Sequence, residues 1–446
     1  MKNKKSSYHF PPGYSLLQTA LISNEYLRNP IGFMTKSMEK FSGSYTGALG
    51  FSAKMIVTQN AGFINYVLRE NHKNYHKSSF ADVVAKFFGN GLVYSSGDYW
   101  LRQRRLIQPG FHKEKIHGLY DTVIKSITDN IPTFPVGESV DIAPIVHNLS
   151  FNVLLKSVFN IHLPPQIIEE LKQIYIDILD FVFRYMNQPW KRLFYPFTGT
   201  MKANLKKAGR LREIIAGIIR DRKASNENYA DLLDMLLNSK YEDTGDGMTE
   251  EQITDELIIF MLAGHETTGN TLSWLLYLIA SNNEVKQKLI NSLHSSTIYD
   301  SINNEYLQAT INEGMRLYPA AWLTDRVALE DDQFGGFRFP KGTIIIPYFF
   351  GMHRDKNYWE EAPEFKPERF LTDLKVSAKA KNFMPFGAGP RMCIGNNFAM
   401  AEMSFFLYLF LNEFNIAVTE QVPKIQPLMI LRPDKVILSI SRINHL

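Results

Sequence analysis

The stretch Phe386-Gly-Ala-Gly-Pro-Arg-Met-Cys-Ile-Gly395 decides how this chain is read, because Cys393 is its only cysteine. A lone cysteine makes no intramolecular disulfide. Three roles stay open to it: a small buried hydrophobe, a reactive thiol, or a thiolate ligand of a metal. Its surroundings favour the ligand. Gly387, Gly389 and Gly395 let the backbone pass close to something bulky. Arg391 puts positive charge two residues from the sulfur, which favours the thiolate. An isolated zinc site usually needs several protein ligands, and no Cys-x-x-Cys partner exists here.

One thiolate suffices where an iron is already held by a macrocycle. The pattern Phe-x-x-Gly-x-Arg-x-Cys-x-Gly, filled at every fixed position from Phe386 to Gly395, resembles the heme-binding loop of the cytochrome P-450 monooxygenases. The resemblance implies one mainly helical domain over residues 1–446 with small β-sheets, an α+β fold. Heme b would lie between a long oxygen-activation helix and the helix after the cysteine. Cys393 would be the iron ligand, with Phe386 beside the sulfur. A thiolate pushes electron density through iron and favours O–O cleavage.

Composition is compatible with this. The apolar fraction of 45% is ordinary for a globular chain, and 31 Phe with 21 Tyr suit a large core or a roomy apolar pocket. A net charge of +4 with no long basic run excludes a nucleic-acid surface as the main business. No low-complexity tract, repeat or long linker divides the chain. No stretch reaches the roughly 18 apolar residues of a spanning helix, and no secretory leader is evident. Residues 1–13 read as a flexible tail. Pro11-Pro12-Gly13 resembles the hinge that follows the anchor in membrane-bound members, and no anchor is expected before it. The expectation is a cytoplasmic enzyme like most bacterial members.

Along the chain, residues 44–59 suit short strands and 61–70 a helix. Residues 80–99, with Gly89, Gly91 and Gly97, read as a pocket-lining loop, and a helix begins at Trp100. Helical patterns dominate residues 116–309, and the segment 167–195 is expected to move on binding. A long helix starts at Thr249-Glu-Glu-Gln252, where Thr249 can cap and Gln252 complete a capping box. Another runs from about Asn304 to Leu317 and stops at Pro319. Strands fill 334–347, and residues 396–414 form a buried helix.

Inside the long helix stands Ala263-Gly-His-Glu-Thr-Thr268. Gly264 costs a helix about 1 kcal/mol against alanine, so something should approach closely there. By itself Gly-x-Glu-Thr-Thr is as well explained by a packing notch. In order with the cysteine loop it resembles the family's oxygen-activation groove. The resemblance implies Ala263 and Gly264 facing the heme, and Glu266 and Thr267 delivering protons as an acid–alcohol pair. His265 reads as helix packing.

Glu313-Gly-Met-Arg316 puts two charges on one helix face, a surface pair on the bland reading. With Arg369 of Pro367-Glu-Arg-Phe370 it resembles the family's buried scaffold for the cysteine loop. Trp100-Leu-Arg-Gln-Arg104 resembles the helix whose Trp and Arg bind one heme propionate. Trp100 and Arg104 would take that propionate, and Arg391 with Arg326 the other. Arg102, Arg105, Lys113 and Lys115 could form a positive face for an acidic electron donor, or be ordinary solvated charges. Substrate would meet Phe88, Val93, Phe260, Ala263, Ala321 and Trp322, all apolar.

The resemblance thus implies a monooxygenase placing one oxygen atom of O2 in a lipophilic substrate, a fatty acid first and a terpenoid or carotenoid next. Without an appended reductase, NAD(P)H electrons would arrive through a ferredoxin or flavodoxin and its reductase. A peroxide-driven enzyme and a heme-binding sensor are the rivals, and Glu266-Thr267 counts against both.

Overall fold

The computed structural model describes residues 8–49, 53–78, 80–161, 163–188, 191–192, 194–225, 227–371, 381–419 and 422–443. Contacts group the chain into two compact units, Met1–Ser78 with Asn312–Cys393, and Ser79–Ile311 with Ile394–Leu446.

The first unit is built on a sheet of five strands among the described residues, in the order Ser44–Leu49, Ala53–Thr58, Ile344–Pro347, Arg326–Ala328, Tyr75–His76. The first two, the short strands expected over 44–59, pair antiparallel, and Ala53–Thr58 runs parallel to Ile344–Pro347 with Ile56 opposite Ile345. Period-2 alternation sends those isoleucines into a core shared with Phe63, Val67, Met384 and Ala388. The helix expected over 61–70 is α-helical only over Ala61–Asn65. It then widens into a π-turn, Tyr66–Glu70, where the Asn71 N–H donates to the Tyr66 carbonyl at 2.8 Å. Gly335 and Gly336, at φ of 58° and 85°, turn the hairpin Asp332–Phe334 to Phe337–Phe339 as their sequence requires. Residues 1–7 of the expected tail lie outside the described residues. Residues 8–13 are tied down: His9 exchanges backbone hydrogen bonds with Arg338, and the Thr46 hydroxyl donates to the Pro11 carbonyl.

The second unit centres on the helix Glu250–Ser281, which is buried on nearly every face and packs on Ala143–Phe159. Its capping box forms as the sequence predicts: the Gln252 N–H donates to Thr249 Oγ1 and the Thr249 N–H to Gln252 Oε1. Helices Thr200–Ser225 and Asn396–Glu413 also lie against it. The segment 80–99, read as a loop, is corrected in two places. Phe80–Phe88 is a helix, because its apolar residues recur at helical spacing and the first glycine comes only at Gly89. The next helix starts at Gly97, three residues before Trp100. Among the described residues no helix is long and apolar enough to cross a membrane.

Candidate functional site

Cys393 follows a tight 3-10 turn, Gly389–Arg391, and its side chain is exposed. Its N–H donates to the Phe386 carbonyl at 2.9 Å, so the loop closes on itself. Gly387 and Gly389 take φ of 73° and 71°, a region that side chains disfavour. A Cβ on Gly389 would also strike the Leu68 carbonyl, so only glycine lets the loop seat here. The Gly387 N–H donates to the Met384 carbonyl at 3.0 Å, and the Met384 N–H donates to His353 Nε2 at 2.9 Å.

From His353 the support runs to the predicted charge pair. Arg316 donates to the His353, Ala362 and Glu364 carbonyls at 2.8–3.0 Å. It also donates to both oxygens of Glu313, at 2.7 and 2.8 Å, and both side chains are wholly buried. Arg369 Nε joins at 3.0 Å from Glu313 Oε1. Glu313, Arg316 and Arg369 therefore form one network around a buried ion pair, and the surface-pair reading falls away.

Cations gather in the same unit. Arg326 is buried on its strand, donating to the Asp325 carbonyl at 2.7 Å, and burial lowers its pKa. Lys77 lies 3.9 Å from Asp325. Burial, opposed by Asp325 and helped by the charges of Arg326 and Arg391, brings its ammonium down to about 8. Burial pushes the Asp325 carboxyl up, but Lys77, Ser78 and Arg326 outweigh it and hold it below its usual range. Lys77 and Arg326 both act on the partly buried Asp325 carboxylate, and Arg391 adds its charge at Lys77. An exposed thiol in a glycine loop, with Lys77, Arg326 and Arg391 in the same unit, is a donor set that fits a heme and its propionates. Among the described residues no cluster of three His, Cys, Asp or Glu could hold a metal ion instead.

In the second unit the long helix is buried from Ile253 to Leu262 and again from Thr268, but opens between them, with Ala263 exposed. Thr267 Oγ1 donates to the Ala263 carbonyl at 2.6 Å, and Thr271 Oγ1 to the Thr267 carbonyl at 2.9 Å. Such back-bonding loosens a helix locally. Burial raises the Glu266 pKa, with Arg432 pulling the other way. A Cβ on Gly264 would lie 2.8 Å from Leu154, so the close approach comes from the neighbouring helix. His265 is packing, as expected: its Nδ1 pairs with the Met261 carbonyl at 2.6 Å, its ring meets Phe151 edge-on, and burial lowers its pKa to about 4.

Trp100 is buried, and Arg104, one turn on, donates to Gln108 Oε1 at 3.0 Å. Arg102 is engaged by Asp243 and stacks on Tyr241, which weakens its part in a positive docking face. Of the apolar residues proposed for substrate, Phe88 stacks on Tyr175, Phe260 meets Phe111 edge-on, and Trp322 packs on Tyr348. Val93, Ala263 and Ala321 are exposed. Sequence reasoning missed the roles of Lys77 and His353. A histidine next to an arginine in His353-Arg-Asp355 was the available hint for the second; Lys77 offered none.

A profile of the family described as Cytochrome P450 matches residues 10–440. Cyclooctat-9-en-7-ol 5-monooxygenase of Streptomyces melanosporofaciens is 29% identical over 341 residues, 74% of each chain. Cytokinin hydroxylase of Arabidopsis thaliana is 30% identical over 361 residues, 75% of this chain and 68% of its own. The crystal structure of the cytochrome P450DA heme domain shares the fold, with a TM-score of 0.86 and 19% identity over 98% of both chains. With the family profile spanning nearly the whole sequence, the chain belongs to the cytochrome P450 family, whose enzymes are heme-dependent monooxygenases.

Proposed function

We propose that this enzyme inserts one oxygen atom of O2 into a fatty acid, with NAD(P)H electrons delivered by a ferredoxin or flavodoxin and its reductase. Residues 1–446 serve as one catalytic domain. Heme b, bound through Cys393, supplies the iron chemistry that activates O2. Lys77, Arg326 and Arg391, with Trp100 and Arg104, balance and bond its propionates. Phe386, Gly387 and Gly395 shape the loop around the sulfur.

The observation that carries the reading is the open turn of the long helix at residues 263–267, bearing an acid whose pKa is raised by burial beside a hydroxyl. Glu266 holds a proton, and the Thr267 hydroxyl can turn from the Ala263 carbonyl to pass it on. Ala263 leaves room, and Phe88, Val93, Phe260, Ala321 and Trp322 give the substrate apolar contacts. Those contacts support a lipophilic substrate. A second reading, a lipophilic alcohol such as a terpenoid, is favoured by the name of the Streptomyces relative.

The test is turnover with ferredoxin, its reductase and NADPH on panels of saturated fatty acids and terpene alcohols. Hydroxylated fatty acid matched to reductant consumed is expected, and Thr267→Ala should divert electrons to peroxide. Product formed from added peroxide but never from reduced ferredoxin would overturn the reading.

A further inference from the structure

Asp255 and Glu256 are consecutive on the long helix and both are buried. They stand about 15 Å along the axis from Glu266, too far to share its proton chemistry. Both grip one glycine-bearing loop. The Asn90 N–H donates to Asp255 Oδ2 at 2.8 Å, and the Leu92 N–H to Glu256 Oε2 at 3.0 Å. The other Asp255 oxygen pairs with Arg212 from the helix Thr200–Ser225.

The glycines make the grip possible. Gly89 has φ of 87°, and a Cβ there would run into the Asp255 carboxylate. A Cβ on Gly91 would lie 2.7 Å from Ile259 and 3.0 Å from the Asp255 carbonyl. The Tyr94 and Ser95 N–H groups both donate to the Gly91 carbonyl at 3.0 Å. Residues 91–95 therefore form one hydrogen-bonded turn held at Leu92 by Glu256, with Asp255 holding Asn90 just before it. Val93 follows the second gripped amide directly and is 38% exposed.

We propose that Asp255 and Glu256 are positioning residues that latch residues 89–93 to the long helix, and that by fixing Val93 the latch sets which ligands the enzyme admits. The second half rests on the reading of Val93 as substrate-facing. Neither carboxyl touches substrate.

The test uses the heme-loaded enzyme and its Glu256→Leu, Glu256→Gln and Gly91→Ala variants. Hydrogen exchange reads the Leu92 amide, and Soret titrations read the affinities of imidazole and of the bulkier 4-phenylimidazole. In Glu256→Leu the Leu92 amide should exchange about tenfold faster or more, for want of its acceptor. The affinity for 4-phenylimidazole should change several-fold and that for imidazole stay put. Glu256→Gln keeps an acceptor oxygen and should behave as wild type. Should Glu256→Leu not fold, Gly91→Ala pushes the loop off with both carboxyls intact, and the same changes are expected. Wild-type exchange at Leu92 in the variants would overturn the latch. Faster exchange with both imidazoles binding as in wild type would overturn its role in ligand choice. A carbon-monoxide spectrum without thiolate ligation would count against the heme-thiolate reading alone, because exchange reports the latch independently.

Discussion

His353 Nε2 accepts a hydrogen bond from the Met384 N–H at 2.9 Å, and both residues are buried. Through it the helix bearing Arg316 holds the segment from which the cysteine loop starts. Truncation in His353→Ala leaves that amide unpaired, at a cost of about 1–3 kcal/mol. The variant should denature at lower urea and lose heme faster. Unchanged heme retention would show that the loop is held some other way.

Removing one partner of the Glu313–Arg316 pair should be harsher. A buried charge left alone costs about 3–5 kcal/mol. Replacing both partners with apolar residues often restores such losses, but it should fail here. The His353, Ala362 and Glu364 carbonyls would still lack their donor. Arg316→Met and the double variant Glu313→Leu/Arg316→Met should therefore both be strongly destabilised in urea titrations. Recovery in the double variant would contradict this.

Stability should fall as the pH rises from about 6.5 to 8. Burial pushes the carboxyls of Glu256 and Glu402 up to about 8. An unfolded carboxyl gives up its proton near pH 4.3, about 1.4 kcal/mol lost per unit and per group until the folded one titrates too. Burial acts oppositely on His147, His265 and His353, lowered to about 4, 4 and 3. Their contribution is lost as pH falls below about 6.5, where the unfolded imidazoles bind protons first. Above that pH, of these five groups only the carboxyls titrate. Urea midpoints across the window should drop for wild type and drop less for Glu402→Gln. Parallel profiles would refute the assignment.

Gly264→Ala should destabilise, although alanine is the better helix former by about 1 kcal/mol. Its methyl would meet Leu154 at 2.8 Å, and overpacking of that kind costs about 1–3 kcal/mol. A gain in thermal midpoint would show that Leu154 gives way freely.

What could be read from the sequence was local. Thr249 and Gln252 sit three residues apart, so their capping box follows from spacing. The cysteine loop carries its glycines within ten residues. Phe80–Phe88 was hidden by the glycines just beyond it, which drew a helix into a loop. Gly264 announced a close approach but not its source, because Leu154 is over a hundred residues away. Lys77, Asp255, Glu256 and Glu402 look like ordinary polar residues in sequence. Their weight comes from burial among distant neighbours, which no local pattern encodes.

The most direct measurement is the absorption spectrum of the reduced, carbon-monoxide-bound protein, wild type beside Cys393→Ser. The wild type should show the strongly red-shifted Soret band of thiolate-ligated heme, and the variant should lack it. The same band in both, or a band of histidine-ligated heme in the wild type, would contradict Cys393 as the iron ligand.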